Sequence, residues 1–240
     1  MKEKTDEDED ETELSREEAK IFRGSAARLN YLGQDRPDLQ FATKQICQKM
    51  SRPTLGGLKM IKRAARYLVG ASRVVWKFED VEDEAGGVTI DVYVDSDWAG
   101  SVDRRSTSGG VAALGGVAIK HWSRTQKSRA LSSTEAEYYA LVTGAAEGLG
   151  IRSLAEDLGW LMAVRIWTDS SGAKGAAARR GLGKLRHVEL KYLWVQQAAK
   201  EGRIEIKKVH GEENPADHLT KPKNKDEMTK HLAKIGGTLI

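Results

Sequence analysis

From Val88 the sequence alternates without a break: Val88, Ile90, Val92 and Val94 fall on one side of an extended chain, and Thr89, Asp91, Tyr93 and Asp95 on the other. Period-two patterning of this length specifies a β-strand with one buried face, because a slip of one residue would turn that whole face to water. The strand runs out on a carboxylate, in Val94-Asp95-Ser96-Asp97-Trp98. A charge at the end of a central strand needs a cation or hydrogen-bond donors. Asp-Ser-Asp followed by Gly100 is also ordinary turn chemistry, so Asp95 alone supports either reading.

Two further strands, Gly109–Leu114 and Val117–Trp122, are separated by Gly115-Gly116, a tight hairpin turn. A long helix is predicted from Ser133 to about Leu158, then a short strand over Val164–Trp167 and a helix over Ser171–Arg180. An amphipathic helix over His187–Lys200, a strand over Ile204–Val209 and short helices from Pro215 and near Lys225 complete the order. Three strands in hairpin succession followed by alternating helices and strands predict an α/β domain over residues 86–222, a mixed sheet with helices packed on it. Residues 223–240 read as a tail or short helix.

Residues 15–80 read as a separate helical segment. Ser15 and Glu18 form a capping box, Pro37 starts a second helix, and Thr54 caps a third that Gly70 ends. Val74–Phe78 has strand composition, and Asp83–Gly87 a turn or linker composition. Residues 1–14 are acid-rich without apolar periodicity and read as a solvated, unstructured tail.

Charge narrows the function. The chain carries 39 Lys and Arg against 35 Asp and Glu, a net +4. Residues 1–20 hold ten acids and four bases, which leaves +10 on residues 21–240 and favours an anionic partner, a nucleic acid or an anionic membrane surface. A single cysteine, Cys47, excludes an intrachain disulfide framework and a multi-cysteine zinc site and suits a reducing compartment. No apolar run approaches the roughly 18 residues of a membrane span, and no signal peptide follows Met1, so the expectation is a soluble intracellular protein, cytoplasmic or nuclear.

Three more carboxylates repeat the ambiguity of Asp95. Glu137 shares a helix face with Ala140, Leu141 and Gly144, small and apolar neighbours that should face the sheet. Glu135 has capping-box spacing from Ser132 and needs no other role. Asp169 stands where a strand hands over to a helix, where an N-cap is an adequate explanation. Asp217, after Asn214-Pro215, sits in the first turn of a helix and meets its positive dipole end. Each acid can be explained singly; together they lie at strand ends and helix starts of one open sheet, where ligands gather. Oxygen donors without Cys or paired His suit hard cations, Mg²⁺ or Mn²⁺, and four carboxylates around two such ions form the device for in-line displacement at a phosphodiester.

The motifs that carry these acids are Asp95-Ser96-Asp97-Trp98-Ala99-Gly100, Arg104-Arg105-Ser106-Thr107-Ser108-Gly109, Ser132-Ser133-Thr134-Glu135-Ala136-Glu137-Tyr138, Thr168-Asp169-Ser170, Arg186-His187-Val188-Glu189 and Ala216-Asp217-His218-Leu219-Thr220-Lys221. In this order they resemble the ribonuclease H domain that ends the Pol polyprotein of Ty1/copia-type retrotransposons. Residues 21–80 resemble the segment after the polymerase palm, through Tyr31-Leu32, Arg36-Pro37-Asp38 and Arg66-Tyr67-Leu68. The resemblance implies a ribonuclease H-like mixed five-stranded sheet with helices on both faces, two Mg²⁺ ions (or Mn²⁺), and a catalytic metal-binding set at Asp95, Glu137, Asp169 and Asp217. It implies hydrolysis of the RNA strand of an RNA/DNA hybrid, beside the polymerase part of the same polyprotein. The family's mobile histidine would fall on His210; by its surroundings alone this is a solvated loop residue. The paired-aspartate Tyr-x-Asp-Asp motif of polymerases is absent, so no DNA synthesis is expected, and the chain reads as a terminal fragment or truncated copy of a mobile element.

Two basic clusters are candidates for the nucleic-acid backbone: Lys120, Arg124, Lys127 and Arg129, and a second including Lys184 and Arg186 beside His187. A solvated face accounts for either one equally. A catalytically silent nucleic-acid-binding remnant, and an integrase or resolvase of the same fold class, are the competing readings.

Overall fold

The computed structural model describes residues 10–78, 88–101, 103–181, 183 and 188–240. Three helices come first: α1 (Arg16–Leu32), α2 (Pro37–Gln48) and α3 (Leu55–Gly70). The Ser15–Glu18 capping box forms, and Thr54 caps α3 through Gly57 N–H. Their contact is a small core of Phe22, Ala26, Leu29, Ile46 and Ala64. It is closed at one end by the buried pair Arg36–Asp38, 2.7 Å apart. The Arg36 guanidinium also donates to the carbonyls of Ala71 and Ser72, and the Tyr67 hydroxyl donates to Asp38. With every charge hydrogen-bonded this pair is tolerated; deleting one partner would cost about 3–5 kcal/mol.

The main sheet has the order β4-β3-β2-β5-β6, from β2 (Val88–Asp97), β3 (Thr107–Leu114), β4 (Val117–Thr125), β5 (Met162–Thr168) and β6 (Glu205–Lys208). β2, β3 and β4 are antiparallel, whereas β5 and β6 run parallel to β2. The alternation from Val88 places Ile90, Val92 and Val94 in the core, all fully buried. Against that face lies α4 (Ser133–Asp157), with α5 (Ser171–Ala178) and α6 (Trp194–Lys200) beside it. The approach is close because Gly144 and Gly148 face the strands: a methyl at Gly148 would stand 2.7 Å from Val164 Cγ1 and 3.1 Å from Val92 Cγ2, and one at Gly144 would overlap Val94.

The opposite face is covered by the 3₁₀ turn Pro215–Leu219, by α2 and by α7 (Lys225–Ala233), around Val111, Leu219, Met228, Leu232 and Ile235. Mixed five-stranded sheet and helices on both faces are as the sequence predicts.

The sequence expectations compare with the structure at four places. The amphipathic helix over His187–Lys200 is shorter: its described part is a 3₁₀ turn, Leu190–Tyr192, and then α6. The Tyr138 hydroxyl donates to the Tyr192 carbonyl, and Gln196 N–H turns to the Leu193 carbonyl, so no continuous helix forms there. Of residues 223–240, read as a tail or short helix, Lys225–Ala233 forms the helix α7, and the strand that follows it, β7 (Gly237–Leu239), pairs antiparallel with β1 (Val74–Trp76). Residues 10–14 of the acidic stretch are docked: Leu14 N–H donates to the Pro53 carbonyl, and Leu55 and Gly56 N–H donate to the Thr12 and Asp10 carbonyls. Finally, the helical segment is joined to the sheet domain, with Gln48 on Thr125 at 2.8 Å and Lys44 on Thr107 at 2.6 Å. The Asp83–Gly87 linker lies outside the described residues.

Candidate active site

Three of the four acids converge. Asp95 lies near the end of β2, Glu137 in the first turns of α4, and Asp169 immediately after β5. One oxygen from each lies within 4.8 Å of the others. Parallel pairing of β2 with β5 sets Val94 beside Thr168 and so brings the two strand-end aspartates together. Glu137 reaches them because the glycine face of α4 sits so close to the sheet. Glu137 lies beside the two aspartates and Glu135 does not. Glu135, 3% exposed, accepts from Leu131 N–H at 3.1 Å and from the Tyr139 hydroxyl at 2.8 Å, a structural role.

Asp95 is buried and Glu137 and Asp169 are half-buried; the nearest cations are Lys208, which donates to the Asp169 carbonyl, and Lys221. Asp95 is 6% exposed and accepts a 2.5 Å hydrogen bond from the Thr220 hydroxyl. Burial pushes its carboxyl up to about 7, against the lowering effect of Thr220, and the nearby Asp217 and Asp169 charges add to the rise. Glu137 accepts from Ser96 twice through Oε1, while Oε2 is buried with no hydrogen-bond partner. Burial, with the negative Asp95 and Asp169 beside it, raises the Glu137 carboxyl to about 8. An orphaned buried carboxylate oxygen next to two further carboxylates is a poor resting arrangement without a cation. The donor set is all oxygen and suits Mg²⁺ or Mn²⁺.

Asp217 is placed differently. It is close enough to raise Asp95, but its own oxygens are ion-paired with Lys221 at 2.5 Å and with Lys223, and His231 Nε2 lies 3.7 Å away. Burial alone would raise its carboxyl; the two lysines outweigh that and hold it below the usual carboxylate range. It is therefore not one of the three converging acids. His210 is exposed and opens the turn Gly211–Glu213; a methyl at Gly211 would lie 3.2 Å from Asp169 Oδ2, so the turn abuts the site.

The basic cluster divides in two. Lys120 and Arg124 both bind Glu147 of α4 at 2.6 Å, an acid the local sequence did not reveal. Lys127 and Arg129 are exposed beyond the end of β4, and Arg129 Nε reaches the Asp103 carbonyl at 3.4 Å. Lys184, Arg186 and His187 lie outside the described residues. Sequence reasoning missed Thr220 as the partner of Asp95, although Thr220 stands three residues after Asp217 in the same motif. It also missed Lys44 of α2, which burial holds down at about 8 in spite of Asp97 nearby. No local signal marks Lys44, because its partners are 63 and 53 residues away in sequence.

No family model matches the chain. It is 31% identical over 225 residues to the retrovirus-related Pol polyprotein from transposon RE1 of Arabidopsis thaliana, covering 91% of this chain and 15% of that protein. It is 30% identical over 202 residues to the corresponding polyprotein from transposon TNT 1-94 of Nicotiana tabacum, covering 82% of this chain and 15% of that protein. The chain thus spans about 15% of the length of these curated relatives. Among solved structures, LC11-RNase H1 in complex with an RNA/DNA hybrid matches with 19% identity and a TM-score of 0.39, over 55% of this chain and 93% of that one. With its strand order, its acids at the strand ends and the two transposon polyproteins it resembles, the chain belongs to the copia-type retrovirus-related Pol polyproteins, and its sheet domain is a mixed five-stranded α/β sheet.

Proposed function

We propose that the chain is a divalent-metal-dependent endonuclease that hydrolyses the RNA strand of RNA/DNA hybrids, leaving 3′-hydroxyl and 5′-phosphate ends. The observation that carries this is the convergence of buried Asp95 with half-buried Glu137 and Asp169, beside a buried Glu137 oxygen that has no hydrogen-bond partner. These three carboxylates would hold Mg²⁺ or Mn²⁺, with Asp217 as a fourth ligand once it leaves Lys221 and Lys223. Two such ions, when bound, supply Lewis acidity at the phosphodiester and an activated water. The chain's own residues do the positioning: Ser96 fixes Glu137, Thr220 fixes Asp95, and the Thr168–Asp169 strand end fixes the third oxygen. Lys127 and Arg129 would bind backbone phosphates at the same end of the sheet. His210, on the exposed turn beside Asp169, is proposed to move a proton at the leaving oxygen.

The test is cleavage of a labelled hybrid with Mg²⁺, with and without EDTA, beside single-stranded and duplex controls. Asp95→Asn and Asp169→Asn should abolish cutting while circular dichroism stays unchanged; undiminished cutting by both variants removes these acids from the mechanism. A second reading, a silent nucleic-acid-binding remnant, is favoured by the ion pairs that occupy Asp217. Its signature is salt-sensitive hybrid binding with no cleavage in Mg²⁺ or Mn²⁺.

A further inference from the structure

Trp98 stands one residue past the end of β2 and is 48% exposed, although folding ordinarily covers most of a tryptophan. Trp122 of β4, by contrast, is 2% exposed and belongs to the core. Exposure does not leave Trp98 loose. Its indole Nε1–H donates to the Ala130 carbonyl at 3.0 Å, and Ala130 is itself part of the core that α4 closes. The next residue, Ala99, has a left-handed φ of 54°, and its N–H donates to the buried Ser106 hydroxyl at 3.2 Å, so the chain leaves the strand direction directly after the ring. The single polar atom of the indole is thus satisfied within the protein, and what the side chain offers to solvent is carbon.

The neighbours of the ring place it beside the acids. Ser96, two residues earlier, holds Glu137, and Ala130 lies two residues before Ser132, which caps the helix that carries Glu137. Trp98 therefore bridges β2 and the approach to α4, the two elements that bring Asp95 and Glu137 together. The stretch that supplies Ala130 also carries Lys127 and Arg129, both exposed. Gln126 fastens the other end of that stretch: it is 7% exposed, and its amide donates to the Ser108 hydroxyl at 2.9 Å and to the Ala136 carbonyl at 2.8 Å. An apolar plate and two cations are so held on one fastened edge next to the acidic centre.

We propose that the exposed ring of Trp98 packs against a sugar ring of a bound RNA/DNA hybrid, beside phosphates held by Lys127 and Arg129, and so sets where along the duplex the acids meet the backbone. The inference rests on the nucleic-acid reading and deepens it. In a paired duplex the base faces are taken up by stacking, and the apolar surface left open lies along the sugars of the wide, shallow minor groove. A ring whose one donor is already used buries carbon against that surface without stranding a polar atom. Phosphate contacts weaken as salt rises, whereas burial of apolar surface does not depend on counterion release. The two contributions are therefore separable in one titration.

The experiment measures binding of a labelled hybrid to the full chain in EDTA, so that no cleavage intervenes, over a range of KCl concentrations. Trp98→Ala should weaken binding about fivefold or more at every concentration and leave the slope of log affinity against log salt unchanged. Trp98→Phe, which keeps a ring and loses the donor, should restore most of the affinity. Unchanged binding by Trp98→Ala overturns the proposal. Equal weakening by both variants also overturns it, since the bond to Ala130 and not the ring would then be what binding requires. A larger loss on single-stranded RNA or DNA than on the hybrid overturns it too, because the ring would then be stacking on unpaired bases. Absence of any hybrid or duplex binding by the unaltered chain would overturn both this inference and the nucleic-acid reading, whereas hybrid binding indifferent to Trp98 would overturn this inference alone.

Discussion

Ser96 holds Glu137 by two hydrogen bonds to a single oxygen, from its backbone N–H at 3.2 Å and from its hydroxyl at 2.8 Å. The residue after the strand-end aspartate thus aims the helix glutamate, and β2 and α4 are coupled at the site by a side chain as well as by packing. Ser96→Ala keeps the backbone donor and the fold but frees the carboxylate to rotate. Loss of such a supporting hydrogen bond costs about 10–100-fold in metal affinity or activity. The measurement is the Mg²⁺ concentration for half-maximal hybrid cleavage; an unchanged midpoint and an unchanged maximal rate would show that Ser96 positions nothing.

The two glutamates of α4 should separate cleanly. Glu135→Ala breaks the bonds to Leu131 N–H and the Tyr139 hydroxyl and leaves the buried Tyr139 hydroxyl without its acceptor, at a cost of about 1–3 kcal/mol. It should lower the melting temperature while the folded fraction cuts hybrid at near the parental rate. Glu137→Gln should do the reverse, losing cleavage and keeping or raising the melting temperature. Identical phenotypes would contradict the assignment of the two roles.

Without metal, stability should fall as pH rises through neutrality. The folded-state carboxyls of Asp95 and Glu137 stand at about 7 and about 8, raised above their unfolded values by burial first and by neighbouring carboxylates second. A raised group contributes stability in its protonated form, complete below the unfolded value near 4 and lost as pH climbs through the folded one. The loss between about pH 4.5 and 8 should be of order a few kcal/mol. Asp217 has the opposite sign: its lowered carboxyl contributes stability that disappears only at the acid end. Thermal melts in EDTA from pH 5 to pH 8.5 should therefore show a decline that Mg²⁺ reverses at the alkaline end and that Glu137→Gln flattens. A flat wild-type profile in EDTA would contradict the buried-carboxylate description.

What was legible in the sequence follows from how local each signal is. Strand β2, the Ser15–Glu18 and Thr54 caps and the hairpin at Gly115-Gly116 depend on near neighbours, and they formed where the pattern put them. Glu137 was separable from Glu135 because helix periodicity is also local. Relations across the fold were not legible. The pairing of Lys120 and Arg124 with Glu147 joins a strand to a helix more than twenty residues on. The engagement of Asp217 by Lys221 and Lys223 needs the turn at Pro215–Leu219 folded against the sheet. The acidic stretch looked unstructured because its partners, Lys49, Arg52 and Lys59, lie beyond α1.

The basic cluster after β3 should divide in binding as it does in structure. β4 ends at Thr125, which pairs with Thr107, which pairs with Asp97; Lys127 and Arg129 therefore follow the strand out at the acidic end of the sheet. Lys120 and Arg124 share the one carboxylate of Glu147, which offsets one of their two charges, and a phosphate that recruits both leaves that glutamate partly uncompensated. Each phosphate that a variant no longer neutralises should reduce the slope of log affinity against log salt by about 0.9 on a duplex. Lys127→Gln with Arg129→Gln should lower the slope for hybrid binding in EDTA by nearly two such steps. Lys120→Gln with Arg124→Gln should lower it by no more than about one step, because Glu147 offsets one of the pair's two charges. Equal slope changes in the two double variants would mean that Glu147 does not withhold its partners from the nucleic acid, and that both halves of the cluster lie along its path.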